Sequence, residues 1–303
     1  MARPGQRDDD HPVLAIGLML IATLIFPFMD GTAKYLAQTY SVTQVTWARY
    51  FFHLAVLLPL VLWQYPARAL LPKPLWPQIL RGIFLLGGTL TFFAGLDFLP
   101  LVDMLALGFI APLIITLASP FFLGERISTR RITAAGIGFI GALVVLRPGT
   151  DLFQWAALFG LGTGIMIAAY DILNRKIARS VPSAIAIMYT SVVGVVVISM
   201  VVPFDWQTPA IRDWGLMAFM GASGAFCHWL LILAYERCEA SLLAPFAYAE
   251  LVTATFVGYV YFGDFPDTFT WIGIAILVAS GLYISYRERH LGLRRARPPE
   301  TAT

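Results

Sequence analysis

Apolar residues run through this chain in ten blocks, each bounded by charged or turn-forming residues, at approximately 13–37, 43–64, 78–98, 101–123, 131–147, 152–178, 183–203, 213–237, 241–262 and 268–286. A bilayer core of roughly 30 Å is crossed by about 20 helical residues. Lipid offers no partner to a free backbone amide, so runs of this length are predicted to be helices. The separators fit that reading: Tyr65 to Pro77 holds four prolines, Gly124 to Arg131 is polar, and the joints at Leu99-Pro100 and Glu239-Ala240 are very short. The first block follows Arg3 and Arg7 but continues to about Ala37 without a small-residue cleavage site, which marks a retained helix and not a secretory leader.

Lys and Arg collect in cytoplasmic loops, so their distribution predicts the orientation. With the N-terminus inside, the inner segments hold Arg3 and Arg7, then Arg68, Lys73 and Arg81, then Arg126, Arg130 and Arg131, then Arg175, Lys176 and Arg179, then Arg237, and finally the run from Arg287 to Arg297. The outer loops hold only Arg147 and Arg212, which predicts that both termini are cytoplasmic. Of the 303 residues, 58% are hydrophobic and 13% charged, and the mean hydropathy is +0.74, as expected of a multi-pass protein of the cell inner membrane. Cys227 and Cys238 offer neither a disulfide framework nor metal-ligand spacing, so neither metal nor cofactor is predicted. The net charge of +3 is dispersed over loops and tail, which speaks against a nucleic-acid partner.

Shifted by about 140 residues, the chain matches itself. Asp30 and Lys34 fall on Asp171 and Arg175, Phe93-Ala94 falls on Leu233-Ala234, and Leu123-Gly124-Glu125 falls on Phe262-Gly263-Asp264. Five helices per copy is an odd number, so the second copy enters the membrane from the opposite side. The predicted organisation is a tail at 1–12, a first repeat at 13–148, an inverted second repeat at 149–287 and a basic cytoplasmic tail at 288–303. Inverted repeats with a pseudo-two-fold axis in the membrane plane suit alternating access.

These residues carry a resemblance to the drug/metabolite transporter superfamily, specifically the bacterial group with two EamA domains, over roughly 13–286. The matching positions are Asp30-Gly-Thr-Ala-Lys34, Trp47-Ala-Arg49, Pro112, Leu123-Gly124-Glu125 and Gly136. Leu251 stands where the pattern of the second half has proline, and Asp264 where it has glutamate. The resemblance implies a central cavity lined by the first, third, fourth, sixth, eighth and ninth spans. It also implies a small-molecule substrate, with the riboflavin and S-adenosylmethionine uptake branches as leading candidates and amino-acid or amine export as the alternative.

An ionisable group at mid-depth costs about 2.5 to 3.5 kcal/mol on insertion scales, so each one asks for a partner or a role. Glu250, about ten residues into the ninth span and preceded by Tyr248, is the foremost candidate for contacting substrate or carrying a coupling proton. Asp30 and Lys34 share a helix face and, with Arg49, are expected to form an outer polar cluster. Asp171 and Arg175 are expected to form the inner one, and together the two clusters are gating candidates. Snorkelling of Arg175 to the interface is the plain alternative. His228, Trp229, Phe92 and Phe93 join Tyr248 as candidates for stacking on a ring-bearing solute, although many aromatics in membrane proteins simply form interfacial belts. Gly87, Gly88, Gly221 and Gly224 are expected to let helices approach closely.

Gly221-Ala222-Ser223-Gly224 has the form found around an intramembrane protease serine, with His228 nearby. Five residues amount to about 500° of helix, so the two side chains diverge, and catalysis is not predicted. A Walker loop is missing, which leaves gradients or exchange to drive transport. The expected protein is a secondary transporter moving a small organic metabolite, compatible with proton coupling or exchange and with a homodimer.

Overall fold

The structure is a computed structural model, which describes residues 12–71, 74–124, 127–147, 155–177, 181–238 and 240–295. Arg3, Arg7, Lys73, Glu125, Arg126, Arg179, Arg297 and the join between the two repeats lie outside the described residues. Among the described residues the regular structure is helical: α1 (Pro12–Ala37), α2 (Val42–Gln64), α3 (Trp76–Leu96), α4 (Leu101–Gly108), α5 (Ala111–Leu123), α6 (Thr129–Leu146), α7 (Ala157–Ile177), α8 (Ser183–Ser199), α9 (Ile211–Arg237), α10 (Ala240–Ala247), α11 (Ala249–Phe262) and α12 (Thr268–Arg295), with two short 3-10 turns. Nine stretches among them are long and apolar enough to cross a membrane, α4 and α5 counting together as one.

Local chemistry accounts for several of these ends. The Ser41 hydroxyl accepts the Gln44 N–H at the start of α2, a side-chain cap. Pro77 occupies the first turn of α3, where a missing N–H is harmless. Gly124 and Gly263 end α5 and α11 in the left-handed conformation, with φ of 67° and 72°. The helix ends at these two glycines, matched by the repeat, are therefore stereochemically alike.

Three expectations need correction. The fourth span is two helices, because Phe109 and Ile110 break it where Pro112 withholds an N–H. The ninth span is likewise two helices that meet at Tyr248, where the Leu251 N–H reaches only to the Tyr248 carbonyl. Leu251 occupies the place of a proline and this break occurs without it. Pro245, inside α10, removes a rung earlier. The last helix also runs beyond 286 to Arg295, so the beginning of the expected tail continues α12.

The packing repeats itself under exchange of the two halves. α1 packs on α9 as α3 packs on α7, and α2 packs on α9 as α8 packs on α3. α4 and α5 cover α7 as α10 and α11 cover α1, while α2 meets α8 and α6 meets α12. Glycines set the closest approaches. A Cβ on Gly141 would lie 2.9 Å from the Gly273 oxygen, and one on Gly273 would lie 2.7 Å from the Gly141 oxygen, so α6 and α12 touch backbone to backbone. Gly87 and Gly88 receive Met166 and Ile167 of α7, and Gly221 receives Phe52 and His53 of α2, as expected of these positions.

Candidate functional site

The polar residues inside the bundle form three groups along its length. In the middle, Asp30 of α1 is buried, only 6% exposed, and Arg49 of α2 acts on it electrostatically. Arg49 donates to the Thr89 hydroxyl of α3 at 2.6 Å, and its guanidinium lies 5.6 Å from the Phe93 ring centroid and 5.7 Å from that of Tyr50. Thr89 also bonds the Tyr50 hydroxyl at 3.0 Å, so one threonine orients both side chains. Glu250 opens α11 within reach of the Asp30 charge, and both acids also act electrostatically on Cys227. Two acids and one guanidinium thus share a low-dielectric interior, where charges interact strongly.

Two histidines close this group on the α9 side. His53 Nδ1 bonds the Ser191 hydroxyl of α8 at 2.5 Å, and its ring meets His228 edge-on at 5.3 Å. His228 donates through Nδ1 to the Gly224 carbonyl, 2.8 Å away, and lies edge-on to Phe26. His53 Nε2 is buried and without a partner among the described residues, a free position facing the same interior.

Lys34 leaves this group. Asp30 and Lys34 share a helix face, but Lys34 turns to Asp264, 2.7 Å away, and to the Leu99 carbonyl at 3.1 Å. Its ammonium also lies 5.0 Å from the Phe262 ring centroid. The expected outer cluster of Asp30, Lys34 and Arg49 is therefore split, because a carboxylate and a carbonyl at the helix ends satisfy the ammonium better than a buried Asp30 shared with Arg49. Beside this pair, Arg147 grips both carboxylate oxygens of Asp267 and Asp103 turns to Thr270, around a crevice of about 260 Å³.

At the opposite end, Asp171 lies within electrostatic reach of Arg175 and hydrogen-bonding reach of Asn174, in the third polar group. It includes Arg81 of α3, 5% exposed, which donates to Asn174 Oδ1 at 3.2 Å and to the Ala186 carbonyl. Sequence reading counted Arg81 as a loop cation and passed over Asp103. The available signal was position, since both fall inside predicted spans.

The stacking candidates are dispersed. Phe92 and Phe93 lie together, 6.2 Å between centroids, beside Arg49. Trp229 instead packs on the α2 and α8 side with Val61, Ile185 and Ile232. Tyr248 stacks obliquely on Phe109, 5.0 Å between centroids, and its hydroxyl end lies directly over Gly281 of α12. Tyr248 is thus held against the α4–α5 break and α12, while Glu250, two residues on, interacts electrostatically with Asp30 of α1. Ser223 donates to the Met220 carbonyl at 3.1 Å, and both Ser223 and His228 spend their bonds on their own helix.

The EamA-like transporter family model matches the sequence twice, over residues 13–147 and 154–286. The chain belongs to the EamA-like transporter family. Within it, the chain is 30% identical over 276 residues to the S-adenosylmethionine uptake transporter of Rickettsia bellii, a match covering 91% of this chain and 94% of that one. The riboflavin transporter of Vibrio cholerae is 28% identical over 283 residues, covering 92% and 95%. A solved crystal structure superposes with a TM-score of 0.64 at 19% identity, covering 91% of this chain and 98% of the other, a likeness of fold. Family and named relatives are transporters of small molecules, and nine stretches of this chain among the described residues are long and apolar enough to cross a membrane, so the chain is a multi-pass membrane transporter of small metabolites.

Proposed function

We propose that this protein takes up S-adenosylmethionine across the inner membrane by alternating access, as a ten-span protein of two inverted repeats with both termini in the cytoplasm. The tenth span in this reading is α10 with α11, which falls short as a single helix because of the Tyr248 break. The observation that carries the substrate reading is the buried central group in which Asp30 interacts with Glu250 on one side and with the Arg49 guanidinium on the other. S-adenosylmethionine presents a sulfonium, an ammonium and a carboxylate. Two acids and one arginine complement that set in number and sign, and their desolvated surroundings penalise any solute that leaves one unmatched. Similarity to relatives named as S-adenosylmethionine uptake transporters supports the same choice.

In this reading Arg49, held by Thr89, receives the substrate carboxylate, Asp30 and Glu250 receive its cations, and Phe92 and Phe93 flank the adenine. Lys34 with Asp264 latches one mouth, and Asp171, Arg175 and Arg81 order the other. The protein transports without chemical change to its cargo, driven by exchange or a gradient.

The test is counterflow into proteoliposomes preloaded with unlabelled S-adenosylmethionine or with unlabelled riboflavin, each with the matching labelled solute outside. Accumulation of the former that vanishes without preload, and that Glu250→Gln and Arg49→Gln each reduce at least tenfold, is expected. Accumulation of riboflavin alone favours the second reading, which the neutral rings Phe92 and Phe93 and the Vibrio cholerae relative support.

A further inference from the structure

On the outside of the bundle, α1, α9 and α11 leave a crevice of about 470 Å³ that is separate from the central group. Its walls are apolar, formed by Phe28, Leu216, Val257 and Phe262. Its floor is Gly31, where a Cβ would lie 2.6 Å from Val257 Cγ1, so α1 and α11 seal it from the buried Asp30.

The polar groups of the crevice collect at one end. Tyr35 lies in the last turns of α1, Tyr261 in the last turn of α11 and Arg212 in the first turn of α9, so all three mark the same mouth. The Arg212 guanidinium lies 5.8 Å from the Tyr35 ring centroid. Among the described residues it has no carboxylate partner, because the adjacent Asp213 accepts the Tyr40 hydroxyl at 2.6 Å. Tyr35 is 41% exposed and Tyr261 66%, and neither hydroxyl has a hydrogen-bond partner among the described residues.

We propose that this crevice binds one anionic phospholipid, with an acyl chain between α1, α9 and α11 and the headgroup phosphate on Arg212. Each part of the lipid has a counterpart. The chain meets a continuous apolar wall, and the phosphate meets a guanidinium suited to bidentate contact. The positive end of the α9 dipole lies at the same spot, and the two tyrosines supply amphipathic ends at headgroup level. A water-soluble anion has no use for the apolar length, and a zwitterionic lipid sets its own cation beside Arg212.

The test uses the full chain in a neutral detergent, titrated with phosphatidylglycerol or phosphatidylethanolamine of identical acyl composition and read by native mass spectrometry. The wild type is expected to retain one phosphatidylglycerol in preference to phosphatidylethanolamine. Arg212→Gln is expected to lower that retention about fivefold, the effect of one basic residue on an anionic lipid, while Arg68→Gln, far along the chain at the α2–α3 link, leaves it unchanged. Leu216→Trp, which fills the crevice, is expected to lower retention of both lipids. Equal retention of the two lipids by the wild type, or phosphatidylglycerol retention untouched by Arg212→Gln, overturns the proposal. The readout needs no transport, so it stands apart from the substrate assignment.

Discussion

The Lys34–Asp264 pair provides the most direct test of how the mouths open. The bond is 2.7 Å long, with the Lys34 side chain 13% exposed and that of Asp264 32%. Hydrogen bonds to charged groups contribute about 1.5 to 3 kcal/mol, and exposed ion pairs about 0 to 1. With one partner open to solvent by nearly a third, a value of about 1.5 kcal/mol is appropriate. If the pair exists only while this mouth is closed, its loss shifts the closed-to-open ratio by roughly tenfold. A reporter is available in Ala157, buried beside Leu99 and Asp103 in the crevice next to the pair. In a Cys227→Ser, Cys238→Ser background, Ala157→Cys is to be labelled by a membrane-impermeant maleimide. Lys34→Met and Asp264→Asn are each expected to raise the labelling rate about tenfold, and the double variant to match the singles, because all three remove the same bond. Unchanged rates in both singles, or a double variant whose effect is the product of the two, refute the latch.

Three further outcomes follow from the same geometry. Gly221→Ala forces a Cβ to within 2.8 Å of the His53 backbone nitrogen, so it is expected to lower stability by about 1 to 3 kcal/mol in a thermal-shift assay, whereas Gly136→Ala, with nothing within 4 Å, is tolerated. The Arg147 guanidinium holds the Asp267 carboxyl below the ordinary carboxylate range. A depressed folded-state value gives stability that is full above the unfolded value and is lost as pH falls through the folded one. Asp267→Asn is therefore expected to lower the melting temperature equally at roughly pH 6 and 8, with the difference shrinking only below about pH 4. Ser223→Ala removes a hydroxyl bonded only to its own helix and is expected to leave transport in the counterflow assay within about twofold of wild type.

Much of the architecture was legible because the bilayer imposes it. Apolar length locates the helices, and the near-constant offset from Asp30 to Asp171 and from Gly124 to Gly263 reveals two copies before any contact is known. The positions of the glycines likewise foretold where helices meet. Partners were not legible. Lys34 has Asp30 one turn away, yet binds Asp264, 230 residues distant, because tertiary packing brings that carboxylate to the helix end. Arg81 looked like one more interfacial cation until α7 and α8 closed around it. Tyr248 and Glu250, two residues apart, were expected to act together, but the break between α10 and α11 turns them to different neighbours.

That break has a counterpart, and the two are in contact. Phe109, at the interruption of α4 and α5, and Tyr248, at the interruption of α10 and α11, press their rings together at 5.0 Å. Each half of the molecule therefore has its elbow resting on the elbow of the other. On the alternating-access reading, bending at one joint would displace the ring of the other, which would couple the two halves as a linked pair of levers. In that reading such a linkage would penalise any posture in which both ends gape at once, and would make a tight barrier a mechanical consequence of two touching rings.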